Sequence, residues 1–223
     1  VYNEKKYIEE IIKKVHRQKV KAPKEIILVN DGSNDGTDKV LARLKKKYPF
    51  HLFSNTQNRG KGYSLRKGFS KATGDIIIIQ DADLEYDPGE YNRLLNPILM
   101  NKADVVYGSR FITTEYRRVL YFWHFLVNKF LTLLSNMFTN LNLSDIETCY
   151  KVFRKDILQN LSLKEDRFGF EVEFTAKIAR IPDIRIYEVG ISYYGRSYKE
   201  GKKIGAKDAL RAVWAIFRYN LFK

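Results

Sequence analysis

Cysteine is almost absent from this chain. Cys149 is the only one, which excludes an internal disulfide and suits a reducing compartment. No stretch reaches the roughly 18 uninterrupted apolar residues of a membrane span. No secretory signal opens the sequence, which starts at Val1 rather than at a methionine. Low-complexity tracts and internal repeats are missing. So are helix-turn-helix, zinc and RNA-binding patterns, and no Gly-x-x-x-x-Gly-Lys-Ser/Thr loop exists. What is plentiful is positive charge, a formal +14 over 223 residues. That balance fits a nucleic acid, an anionic membrane surface or a phosphorylated substrate. The length fits one large α/β domain better than two small ones.

The first half alternates strand and helix. Strands are expected at 25–30, 51–53, 76–79 and 103–107, with helices at 37–47 and 61–72 and another opened by Asp87-Pro88. This rhythm predicts an open, mostly parallel sheet with helices on both faces. Ile76-Ile77-Ile78-Ile79 reads as a strand buried on both faces and therefore central. It runs into Asp81-Ala82-Asp83. Carboxylates at i and i+2 lie on one side of an extended backbone, so both can face one cation. The carboxyl end of a sheet strand is also where α/β proteins hold ligands. The bland alternative is a solvated acidic turn.

Two further turns open toward the same rim. Asn30-Asp31-Gly32-Ser33-Asn34-Asp35-Gly36-Thr37 follows the first strand directly. Its glycines permit a tight turn near a ligand, Thr37 can cap a helix, and Asp31 can accept a nucleobase N–H. An ordinary capped βα turn explains the octapeptide equally well. Asn58-Arg59-Gly60-Lys61-Gly62 brings basic groups to the mouth of the sheet.

The second half differs. Over 119–139, His124, Asn128, Thr132, Ser135, Asn136 and Thr139 recur by threes and fours among large apolar residues. This predicts a helix with a narrow polar stripe and a wide apolar arc, an in-plane membrane helix or an oligomer contact. Helices at 170–179 and 205–221 and a strand at 185–189 complete the reading.

Together, Val1-Tyr2-Asn3-Glu4, the 29–37 turn, the 58–62 turn, Gly74-Asp75 and Asp81-Ala82-Asp83 resemble family 2 glycosyltransferases of the GT-A fold. Within that family the chain looks most like the dolichyl- and polyprenyl-phosphate sugar synthases. The resemblance runs on through Gly108-Ser109-Arg110 and Asp145 to Arg196 and Lys202. It implies one Rossmann-like domain over 1–223, with a nucleotide-sugar half at 1–110 and an acceptor half at 111–223. Tyr2, Asn3, Glu4 and Asp31 match positions that hold base and ribose, and Lys61, Asp81, Ala82 and Asp83 belong to the same donor set. Asp81 and Asp83, with Glu85 as a third ligand, would hold Mg²⁺ or Mn²⁺. Arg110, Arg196 and Lys202 would meet donor diphosphate or acceptor phosphate, and Asp83 and Asp145 would be catalytic.

The implied partners are a GDP- or UDP-hexose, a polyprenyl phosphate or glycan acceptor, the inner, cytoplasmic face of a membrane, and a second copy of the chain, but no nucleic acid. A lipid phosphate needs no general base, whereas a saccharide hydroxyl would make Asp145 or Glu147 the candidate. Departures from the family pattern are Asn30, Glu85 where a Gln is frequent, and Glu147-Thr148-Cys149-Tyr150 in place of a glycine-containing stretch. In that family a central strand precedes the Tyr-Asn-Glu segment, so the natural protein is expected to extend upstream of Val1. Rival readings are a basic nucleic-acid-binding domain and an inactive relative serving as a scaffold.

Overall fold

The computed structural model describes residues 1–112, 118–119, 121–196 and 206–222. Lys202, expected at the phosphate site, lies outside the described residues. Helix α1 (Ile8–Arg17) precedes strand β1 (Ile27–Asn30), helix α2 (Thr37–Lys45), strand β2 (His51–Ser54) and helix α3 (Lys61–Phe69). Strand β3 (Ile76–Ile78) leads through a 3₁₀ turn (Pro88–Glu90) into α4 (Tyr91–Leu99) and β4 (Val105–Ser109). Then come α5 (Phe122–Thr139), β5 (Lys151–Arg154), α6 (Phe170–Ile178), β6 (Ile186–Gly190) and α7 (Ala206–Leu221).

Two ladders carry the fold. β1 and β2 pair in parallel, Ile27 opposite His51 and Asn30 opposite Ser54. The other sheet has the order β3-β5-β4-β6, with β4 parallel to β6 and β5 antiparallel to both β3 and β4. The α/β class and its parallel pairs agree with the sequence reading; the antiparallel β5 is an addition. All of β4 is buried, as a strand covered on both faces must be. The isoleucine strand differs from its expected central place. Among the described residues β3 bonds only to β5, and Ile76 and Ile78 are half-buried. Beside β1, the Val1 amine donates to the Val29 carbonyl and Val1 O accepts from Asp31 N, both at 2.8 Å.

Two apolar clusters fill the interior. Ile8, Ile11 and Ile12 of α1 and Leu41 and Leu44 of α2 close over Leu28 of β1. The larger cluster packs α3, α4 and α6 against the four-stranded sheet through Phe69, Leu94, Ile98, Phe153, Phe170 and Phe174. α6 is buried almost all round, and α7 covers it with Ala212, Ala215 and Ile216.

Helix α5 is inside out. Its polar stripe faces inward: Thr132 and Ser135 are buried, Asn136 Nδ2 donates to Leu143 O at 2.7 Å, and Thr132 Oγ1 accepts from Ile146 N. Its apolar arc faces out, with Trp123 and Met137 each 72% exposed and Leu133 60%. Trp214, Leu210 and Leu221 of α7 continue the apolar surface, joined to it by Phe138 against Phe217.

Candidate active site

The turns at the strand tips interlock. Asp35 Oδ1 accepts from Thr37 N and Oγ1, starting α2 after Gly36 at φ 91°. The same turn clasps the N-terminal segment: Ser33 Oγ takes Asn3 N, Thr37 Oγ1 takes Glu4 N, and Asn3 and Asn34 exchange bonds at 2.9 and 3.0 Å. Tyr2 and Asn3 are half-buried and Glu4 is buried. Asp31 sits 3% exposed at the end of β1. Its carboxylate accepts Asn55 Nδ2, Asn58 Nδ2, Arg59 N and Gly60 N at 2.7–2.9 Å. That set of donors builds the 58–62 turn, which in turn starts α3 and aims Lys61 inward.

Lys61 Nζ lies 3.0 Å from Asp81 Oδ2 and 2.8 Å from Glu171 Oε1. Burial would lower the lysine pKa, but Asp81 and then Glu171 hold it well above its ordinary value. Burial likewise opposes ionisation of Asp81, and Lys61 overrides it, leaving Asp81 lowered. Asp83 behaves in the opposite way. Burial, then the charges of Asp81 and Glu85, push its carboxyl up to about 7, against the pull of Arg196. Ala82, between the two acids, packs on the smaller apolar cluster.

Arg196 closes the far side. Its guanidinium reaches Asp83 Oδ2 at 3.0 Å, Glu85 Oε1 at 3.1 Å and Glu4 Oε2 at 3.4 Å. Glu85 is occupied by protein groups: Oε1 also accepts Arg196 N and Oε2 accepts the Tyr193 hydroxyl at 2.8 Å. Among the described residues, no three His, Cys or acidic side chains converge as a ready-made metal cluster. The donor chemistry nonetheless fits a hard dication at Asp81 and Asp83. Both supply oxygen ligands, and the half-buried Asp83 carboxyl is pushed up by burial and by the charges of Asp81 and Glu85, a repulsion that a cation would relieve.

Arg110 and Asp145 form a two-pronged pair, with Asp145 fully buried. Sequence reasoning missed Glu171, Tyr193, Asn55 and the buried Lys151. Glu171 carried a usable signal, one of two acids alternating with large apolar residues at the start of α6. The other three become visible only through tertiary contacts.

The dolichol-phosphate mannosyltransferase of Pyrococcus furiosus is 24% identical over 223 residues, covering 98% of this chain. The chain spans 62% of that relative's length. The undecaprenyl-phosphate mannosyltransferase of Micrococcus luteus is 29% identical over 210 residues, covering 88% of this chain and 82% of the relative. Among solved structures, the glucosyl-3-phosphoglycerate synthase of Mycobacterium tuberculosis, in complex with Mn²⁺, UDP and glucosyl-3-phosphoglycerate, superposes with a TM-score of 0.76. It covers 100% of this chain and 78% of that one at 18% identity, a likeness of fold, here the GT-A fold. The family model described as Glycosyl transferase family 2 matches residues 1–162, most of the chain, and the protein belongs to that family.

Proposed function

We propose that the protein is an inverting hexosyltransferase that takes a hexose from a nucleotide diphosphate sugar and delivers it to a polyprenyl phosphate. The observation that carries this reading is the acid excess at the tip of β3. Asp81, Asp83, Glu85 and Glu4 gather around Lys61 and Arg196, and Asp83 resists ionisation. A divalent ion, Mg²⁺ or Mn²⁺, held by Asp81 and Asp83 would supply the charge that stabilises a departing diphosphate. Lys61 and Arg196 stand on either side of these acids, positioned to donate to diphosphate oxygens once the acids have another counter-charge. Glu85 and Tyr193 keep Arg196 in place. Asn3, Glu4 and Asp31 shape the pocket for base and ribose.

Arg110 is the candidate for the acceptor phosphate. Asp145 favours a phosphate over a hydroxyl acceptor, because both its oxygens are taken by Arg110 and none is left to remove a proton. A hydroxyl acceptor is the second reading, favoured by Glu147, whose carboxyl is pushed up to about 7 by burial and then by Glu171. Among the described residues no helix is long and apolar enough to cross a membrane. The outward apolar arc of α5 and α7, in a chain of charge +14, supports docking on an anionic bilayer surface, the cytoplasmic face, where a lipid phosphate is reached.

The test is a panel of GDP- and UDP-hexoses with Mn²⁺, read by thermal shift and by sugar transfer to a polyprenyl phosphate. Stabilisation by at least one donor and transfer to the lipid are expected. Absence of both overturns the reading.

A further inference from the structure

Asp81, Asp83 and Glu85 ride on one short loop, 81–86, and the side chain of Gln80 closes its base. Gln80 lies just past β3 and is half-buried. Its Nε2 donates to Asp81 O at 2.9 Å and makes a longer contact, 3.5 Å, with Tyr86 O. Its Oε1 accepts the hydroxyls of Tyr91 and Tyr150, each at 2.8 Å. Carbonyl oxygens only accept, so the orientation of the amide is forced and both hydroxyls must donate. Burial raises the pKa of both tyrosines, which keeps those protons in place. The amide is thus engaged at both ends, one on the acid loop and the other on the core.

The loop needs holding. Leu84 sits at φ +64°, a left-handed conformation that strains any residue with a Cβ. Like charges add to the load, since Asp81 and Glu85 both oppose ionisation of Asp83. Such a backbone persists only where its surroundings over-determine it, and this is the pattern of a ligand-binding turn. Here Glu85 N donates to Asp83 Oδ1, Tyr194 N donates to Glu85 O, and the Tyr86 hydroxyl accepts Cys149 N. The frame behind the loop is firm. Tyr91 opens α4, Tyr150 directly precedes β5, and they are 4% and 0% exposed. The Tyr86 ring packs 5.1 Å from that of Tyr150.

We propose that Gln80 is a positioning residue for the donor-site cation, setting the spacing of the Asp81 and Asp83 carboxylates by tying their loop to Tyr91 and Tyr150. This rests on the nucleotide-sugar reading above and deepens it by one residue outside the ligand set. Holding Asp81 O fixes the peptide plane between Asp81 and Ala82, and with it the direction in which the Asp83 side chain leaves the chain. A hard dication shared by two carboxylates tolerates little error in that direction when the ion is as small as Mg²⁺. The rival role for Gln80 is purely structural, to satisfy two buried hydroxyls.

The experiment uses the full chain, with Mn²⁺ plus UDP and Mn²⁺ plus GDP as probes. Calorimetry reads affinity, and urea unfolding without metal reads stability. Gln80→Met removes the amide at nearly constant shape and leaves both tyrosine hydroxyls buried without their partner. Stability should fall, and Mn²⁺-nucleotide affinity should fall by roughly ten- to a hundredfold, the usual effect of losing a group that orients metal ligands. Gln80→Met combined with Tyr91→Phe and Tyr150→Phe removes the orphaned hydroxyls as well, so stability should return toward the wild type. This variant also keeps the test open if Gln80→Met fails to fold. Its affinity should stay low, because the loop is still untied. Affinity that recovers together with stability assigns Gln80 the structural role and overturns the proposal, as does wild-type affinity in Gln80→Met. A wild type that binds Mn²⁺ with neither nucleotide overturns the metal reading itself, and this one with it.

Discussion

Arg110 and Asp145 are locked side by side: Nε meets Oδ2 and Nη2 meets Oδ1, each at 2.7 Å, and Arg110 N adds a third bond to Oδ2 at 3.1 Å. Asp145 is fully buried, and Arg110 also lies over the Tyr193 ring, 5.1 Å from its centroid. Burial alone would lower the arginine pKa, and Asp145 more than reverses it. The pair fixes one guanidinium face and leaves the arginine tied to the cleft wall that also carries Tyr193.

Asp145→Asn is therefore expected to act through Arg110. Breaking a buried pair from one side costs roughly 3–5 kcal/mol, so the melting temperature should fall by several degrees. With a polyprenyl phosphate acceptor, KM should rise while the pH profile of kcat keeps its shape. Loss of the acid-side limb in that profile would instead mark Asp145 as a proton acceptor.

The stability of the protein should carry the signature of Glu147. Burial raises this acid from its ordinary value to about 7 in the folded chain. An acid raised on folding binds its proton more tightly when folded, so its contribution is fully present below about 4.5 and is lost as pH climbs toward 7. Asp83 acts with the same sign over a similar window. Glu147→Gln should flatten part of the decline between pH 4.5 and 7, by a few kcal/mol at most. Urea titrations of the two proteins across that range, without added metal, would check it; identical slopes would contradict it.

Gly60 is a tight backbone position beside the site. It holds φ +102°, and a Cβ there would stand 2.3 Å from Asp166 O. Its N–H also goes to Asp31. Gly60→Ala is expected to lose about 2 kcal/mol or more and to displace Lys61. Donor affinity should drop with stability, measured by denaturant unfolding and calorimetry on the same sample. Gly36→Ala is the comparison, since its φ is also positive but its nearest neighbour is the flexible end of Lys5 at 3.7 Å.

Much of this was legible in the residues, for definite reasons. Period and turn chemistry placed β1, α2, β2 and α3, and the acid pair at the end of the isoleucine run pointed to the rim that gathers Lys61 and Arg196. Two elements were not read. α1 has Ile8, Ile11 and Ile12 on one face, a helical spacing in plain view, yet charged residues surround it. β5 is four residues long and begins with Lys151, a residue that reads as exposed. Only its burial against the Ile146 and Thr148 carbonyls makes it a strand of the core.

The outward face of α5 gives the last expectation. Helices normally turn their polar stripe to water, because burying it requires partners for every polar group. Here most of the inward stripe finds those partners, in Leu143 O, Ile146 N and Ser135 O, while Ser135 Oγ is buried without one among the described residues. Water is left facing Phe122, Trp123, Phe130, Leu133 and Met137. Nothing in the packing of the fold asks for so much exposed aromatic surface, whereas a bilayer interface accommodates it. Replacing Trp123 and Met137 together by Glu should leave the melting temperature nearly unchanged, since exposed substitutions shift stability by about 0.5 kcal/mol or less. Binding to vesicles of anionic phospholipid should weaken by tenfold or more, as roughly 1 kcal/mol or more of interfacial burial is lost per side chain. Co-sedimentation measures it directly. Unchanged vesicle binding, with a change in sedimentation coefficient on mutation, would assign the same face to a second copy of the chain.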